Sequence, residues 1–189
     1  MRDNNLRRAL AGLVRGKTVL ELGCGEGHLT ETILRDAKSV TAVDISQIAI
    51  ERAVARKIKN ACFVQSDFLE QSFTDHDVIA ALECICYLSR DELNRFLQKV
   101  TTEHKGRTLA VSIPIIGSNE HRIYFTHAEM MALLSHHDFS NITSFNLTVY
   151  WRPALARVIA NLCKLPLGHL AVDFLPDRFI YQRLYVATA

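Results

Sequence analysis

The chain is short of most features that mark specialised proteins. No apolar run approaches the roughly 18–20 residues that a membrane-spanning helix needs. The first apolar stretch, Leu6 to Val14, is broken by Arg7 and Arg8, and no N-terminal signal pattern is seen. The expectation is a soluble, cytoplasmic chain without a membrane span. Charge of one sign is also missing. Lys and Arg number 22 against 20 Asp and Glu, leaving +2 with histidine neutral, too little to argue for a nucleic-acid partner. The five cysteines are odd in number and form no CxxC pair, so reduced thiols fit better than a disulfide framework. Cys84 and Cys86 lie two apart in an apolar run; on a strand they would share a face as small core residues. Eight histidines are scattered without an HExxH motif or a Cys/His metal spacing. Adjacent His136 and His137 would point about 100° apart on a helix. No metal site is expected. Repeats and low-complexity linkers are absent, which leaves one domain over residues 1–189.

Short β-branched runs alternate with helical patterns. Strands are expected at Thr18–Leu22, Ser39–Asp44, Ala61–Gln65, Asp77–Glu83 and Arg107–Ile113. Two later ones are expected at Asn141–Tyr150 and Phe179–Val186. Helices are expected at Gly27–Asp36, at Ser46–Lys57 with Ser46 as N-cap, and at Arg90–Val100 opened by Ser89 with Glu92 in the capping-box position. A further helix runs from Thr126 to His136 with Glu129 three residues after its cap. The fourth strand is almost wholly apolar, as a strand buried on both faces should be. This alternation predicts an α/β fold, doubly wound, with a mostly parallel sheet and helices on both faces.

Residues 19–30 read VLELGCGEGHLT, with glycines at 23, 25 and 27. Glycine is the costliest residue to order, so three in one turn call for a reason. A strand, a glycine turn and a helix start let a ligand touch backbone amides at the carboxyl ends of the strands, where the helix dipole would favour negative charge. Asp44 ends the second strand 21 positions after Gly23, placed to accept both hydroxyls of a ribose. Asp67 and Phe68 end the third strand, where a carboxylate can take an adenine amine and Phe68 or Ile45 can cover the ring. Dinucleotide sites place a glycine where this chain has His28. Glu21 before the turn would repel a pyrophosphate and attract an ammonium. The ligand that fits is an adenosine with a cationic amino-acid end, which describes S-adenosylmethionine.

Over Lys17 to His137 the sequence resembles the class I S-adenosylmethionine-dependent methyltransferases. ELGCGEG matches that family's E/DxGxGxG motif, AVDIS its ribose-binding strand end, QSDF its adenine-binding strand end, and DVIAALECICYLS its fourth motif. The resemblance implies a seven-stranded sheet with an antiparallel last strand. It implies a cofactor site lined by Glu21, Gly23, Cys24, Gly25, Gly27, Asp44, Ile45, Asp67, Phe68 and Glu83, with S-adenosyl-L-homocysteine as product.

The acceptor is less legible. Glu83-Cys84-Ile85-Cys86 stands where amino-methyltransferases acting on adenine or amide nitrogen carry Asn/Asp-Pro-Pro-aromatic. The phrase ALECICYLS is more similar to small-molecule N- and O-methyltransferases, and weakly to nodulation-type N-methyltransferases acting on amino sugars. Tyr87, His121 and Glu83 are the catalytic candidates, His121 as a base near neutral pH. Tyr87, Arg122 and Trp151 are the substrate candidates. Leu6, Leu10, Leu13 and Val14 give residues 1–16 one helical apolar face, either a short lid or a helix docked on the sheet. Residues 152–178 form an insertion between the last two strands. Pro153 suits a helix start, and Leu155, Val158, Ile159 and Leu162 recur at helical spacing. The insertion is expected to cover the acceptor pocket, for an apolar, amphiphilic or glycan-like small molecule; a dimer contact or a core helix is the other reading of it. Three further readings stay open: a cofactor-binding subunit silent without a partner, an RNA or protein methyltransferase, and a homodimer. An NAD oxidoreductase is disfavoured by His28 and Glu21.

Overall fold

The protein is described by a computed structural model over residues 2–117, 119–149 and 175–189. Seven strands among these residues form one sheet: β1 (Thr18–Leu22), β2 (Ser39–Asp44), β3 (Ala61–Gln65), β4 (Val78–Leu82), β5 (Thr108–Pro114), β6 (Ser140–Val149) and β7 (Ile180–Thr188). Their order is β3-β2-β1-β4-β5-β7-β6. The first five pair in parallel, and β7 runs antiparallel between β5 and β6. The sixth strand therefore points the same way as the first five, as its place in the alternation predicts. All five residues of β4 are buried, because helices cover both faces of a central parallel strand.

The helices are α1 (Arg2–Val14), α2 (His28–Thr32), α3 (Gln47–Ala55), α4 (Arg90–Glu103) and α5 (His127–His136). Their starts follow cap chemistry. The Ser46 hydroxyl accepts from Ala49 N–H, and Ser89/Glu92 and Thr126/Glu129 form reciprocal capping boxes. Successive strand residues point to opposite faces, so each strand feeds two cores. On one face Leu20, Ile79, Val111 and Tyr185 pack with Phe96 and Leu97 of α4 and Met130 and Leu134 of α5. On the other, Val19, Val40, Ala80 and Leu184 pack with Leu6, Leu10 and Val14 of α1 and Ile50 of α3.

Two expectations need correction, and of the two readings open for residues 1–16 the docked one is seen. The helix expected at Gly27–Asp36 is a single turn, α2. Thr30, Thr32 and Ile33 are β-branched and poor helix formers, and the chain turns so that Ile33 and Leu34 are buried. So short a helix carries little dipole. Cys84 and Cys86 do not share a strand face, because β4 stops at Leu82 and residues Ile85–Tyr87 form a 3₁₀ turn. Finally, α1 is docked on the sheet: Leu6, Leu10 and Val14 are fully buried, and Asn5 Nδ2 donates to the Leu147 carbonyl on β6.

Candidate functional site

Strand order reverses between β1 and β4, so the carboxyl ends of these strands flank a crevice. The glycine turn forms one wall. Gly23, Gly25 and Gly27 have φ of 67°, 54° and 77°, all in the left-handed region. Their reasons differ. A Cβ on Gly23 would lie 2.5 Å from Cys84 Cβ, and one on Gly27 would lie 3.1 Å from the Phe63 ring. A Cβ on Gly25 would meet nothing within 4 Å. Two glycines serve the protein's own packing, and the middle one borders open space.

Asp44 ties this turn to β2. Its Oδ2 accepts from Gly25 N–H at 2.7 Å and its Oδ1 from Ser46 N–H at 2.9 Å. Each oxygen keeps a second lone pair for a ligand. Glu21 lies beneath, 1% exposed, accepting from the Thr30 hydroxyl. Burial lifts its pKa to about 7; the Thr30 bond opposes this and the Asp44 charge adds to it. Cys24 and Cys84 are also pushed up by burial, which leaves them as thiols rather than nucleophiles.

The opposite wall begins where β4 ends. Glu83 has φ 64°, a conformation that costs a non-glycine residue about 1–2 kcal/mol. Its N–H is held by Ser112, through the carbonyl at 3.2 Å and Oγ at 3.0 Å. Glu83 Oε2 pairs with Arg2 Nη1 at 3.0 Å, while Oε1 is buried without a partner. Arg2 also holds Asp3 at 2.8 Å, and Asp3 faces His28 Nε2 at 3.3 Å. The first turn of α1 thus spans both walls.

Further along the same edge, the segment after β5 is pinned to the turn after β4 by Ile123 N–H donating to the Cys86 carbonyl at 2.8 Å. This brings Arg122 onto Tyr87. The guanidinium lies 4.8 Å from the ring centroid and Nη2 donates to the phenol oxygen. Tyr87 is 57% exposed, so it is not a core tyrosine. His121 lies on the same segment, exposed, with its N–H donating to Asn119 Oδ1.

The rim on the other side differs from expectation in one residue. Ile45 is 71% exposed, available as an apolar platform. Asp67 caps a 3₁₀ turn through Leu69 N–H at 2.9 Å. Phe68 turns inward, edge-on to Phe96 at 5.9 Å and packed against the core. Trp151 and most of the 152–178 insertion lie outside the described residues. Val149, before the insertion, and Leu175, near its end, are described. Val149 and Leu175 both join a small apolar cluster with Ile115 and Ile180 at the carboxyl end of β5. Among the described residues no His, Cys, Asp or Glu group converges to hold a metal ion, and no helix is long and apolar enough to cross a membrane.

Sequence reasoning missed Arg2 and Ser112, the two groups that hold Glu83. Ser112 had a weak signal, a lone hydroxyl in an apolar strand. Arg2 had none, since its partner is 81 positions away.

Comparison with known proteins agrees with this architecture. Residues 19–105 match the family model described as a methyltransferase domain. The magnesium protoporphyrin IX methyltransferase of Synechocystis PCC 6803, solved with bound S-adenosylmethionine, superposes with a TM-score of 0.65 at 16% identity. The alignment covers 98% of this chain and 78% of that one. This is the class I methyltransferase fold. The fold that the sequence resemblance implies is therefore present. The same fold also serves the [4+2]-cyclase SpnF, with a TM-score of 0.70 at 16% identity over 98% of this chain and 80% of that one. Among curated sequences, the mitochondrial ubiquinone biosynthesis O-methyltransferase of Schizosaccharomyces pombe is 34% identical over 123 residues, 56% of this chain and 44% of the relative. The chain spans less than half the length of the curated relatives it matches.

Proposed function

We propose that this chain binds S-adenosyl-L-methionine in the crevice between β1 and β4 and transfers its methyl group to an oxygen or nitrogen of a small organic acceptor. The observation that carries this is the open space at Gly25 beside Asp44 and Glu21, at the point where strand order reverses. The residues present fit the cofactor. Gly25 leaves room for the methionine end, and the unpartnered Glu83 Oε1 suits a cation. Asp44 takes the ribose hydroxyls, Asp67 the adenine amine, and Ile45 covers the ring. Glu21 and Glu83 supply negative charge near the cationic end, against the backbone of Gly23, Cys24 and Gly27.

The cofactor supplies an activated methyl group, so the protein's part is to position the acceptor, exclude water and take a proton where the acceptor carries one. Glu83 and His121 are the candidates to take that proton. Tyr87 and Arg122 face the acceptor. The similarity to an O-methyltransferase of ubiquinone biosynthesis favours oxygen as the methylated atom.

Calorimetric titration with S-adenosylmethionine, S-adenosylhomocysteine and NADH, beside Asp44→Ala, tests the reading. Micromolar binding of both sulfur nucleosides, lost in the variant, is the expected result. Binding of NADH alone would overturn it. A second reading is a cofactor-binding module without methyl transfer of its own, since the same fold also serves a [4+2]-cyclase. Cofactor binding without turnover on any acceptor, alone or with a partner subunit, would support that one.

A further inference from the structure

Glu21 and Asp44 lie on the side of the glycine turn, and Glu83, facing them just after β4, is paired with Arg2. Further along the same edge, the turn after β4 and the segment after β5 meet at Tyr87 and Arg122. Among the described residues no carboxylate lies within ion-pair distance of Arg122. Its neighbours are the phenols of Tyr87 and Tyr181 and the thiol of Cys86. The Ile123–Cys86 bond fixes the segment, and the Tyr87 ring and hydroxyl fix the guanidinium. One of the five guanidinium N–H donors is used by Tyr87, and the others keep the forked geometry that matches a carboxylate.

We infer that Arg122, held by Tyr87, is the anchor for a carboxylate on the acceptor, so that the substrate class is an organic acid with an apolar or aromatic body. This rests on the proposed crevice function and names its substrate class. An acid placed by the glycine turn would face the carboxylate of Asp44 and be repelled, and the cation nearest Glu83, Arg2, is already paired with it. Anchored at Arg122, it leaves its far end toward the end of β4. The exposed face of Tyr87 gives the body an apolar surface to lie on.

The test is a calorimetric comparison of benzoate with benzamide, which share a shape and differ in charge. Both are titrated into the protein with and without S-adenosylhomocysteine, and into Arg122→Gln and Tyr87→Phe. Benzoate is expected to bind at least tenfold more tightly than benzamide. That ratio should fall to about one in Arg122→Gln and drop several-fold in Tyr87→Phe, with affinity for S-adenosylhomocysteine unchanged within twofold. Equal binding of the two probes, no binding of either, or an acid preference that survives in Arg122→Gln would overturn the inference. Failure of the nucleoside to bind while the Arg122-dependent preference persists would instead count against the cofactor reading and leave the acid subsite standing.

Discussion

Gly23 and Gly25 are two residues apart and share a left-handed backbone, yet alanine at each should do different things. At Gly23 the new methyl meets Cys84 Cβ at 2.5 Å. Overpacking and backbone strain together should cost roughly 2–4 kcal/mol. Gly23→Ala combined with Cys84→Gly should recover part of that loss, read by urea denaturation. At Gly25 the methyl meets nothing, so Gly25→Ala should cost only about 1 kcal/mol of stability while reducing S-adenosylhomocysteine affinity at least tenfold. Equal destabilisation by both would contradict the assignment of open space to Gly25. Glu21 adds a pH signature. Its pKa rises from 4.5 unfolded to about 7 folded. The folded state therefore holds this proton more tightly, and stability falls as pH climbs between those values, by the order of 3 kcal/mol. Glu21→Gln should flatten that slope. A cationic ligand favours ionised Glu21, so S-adenosylmethionine binding should release a proton near pH 7 in the wild type and not in the variant.

At the scale of elements, α1 has two roles at its two ends. Its last turns are anchored by Leu10 and Val14 in the core. Its first turn lies across the crevice through Arg2–Glu83 and Asp3–His28. These partners are partly exposed, so the contacts contribute little to stability, under about 1 kcal/mol. Their position matters more than their strength. Arg2→Ala should leave the thermal midpoint within a few degrees and speed S-adenosylhomocysteine dissociation several-fold in stopped flow. An unchanged dissociation rate would show that the first turn of α1 does not restrain the ligand.

At the scale of the whole molecule, the sheet gathers the carboxyl ends of β1, β2, β4 and β5 on one edge, and β6 delivers Val149 to that same edge. The segment after Val149 returns at Leu175 into the same apolar cluster. Both ends of the insertion therefore lie on the ligand side, which supports the proposal that it lines the acceptor pocket. Deleting residues 154–176 should abolish methyl transfer while cofactor affinity stays within a few fold. Unchanged turnover would remove the insertion from the acceptor site.

The sequence by itself determined the features that depend on neighbours in the chain. Strand starts, the capping boxes at Ser89 and Thr126, and the glycine turn running into an acidic strand end were legible because period, cap and turn chemistry are local. Even there Thr30, Thr32 and Ile33 shortened α2, since burial of Ile33 and Leu34 outweighed the helical pattern. The tertiary structure decided what depends on distance across the fold. It made Glu83 leave β4 with a left-handed backbone, because Ser112 on the neighbouring strand holds its N–H. It turned Phe68 into the core, because Phe96 of α4 offers an aromatic partner there. It brought Arg2 to Glu83 and Arg122 to Tyr87, pairs that no spacing in the sequence encodes, because sheet order sets which loops meet at the edge.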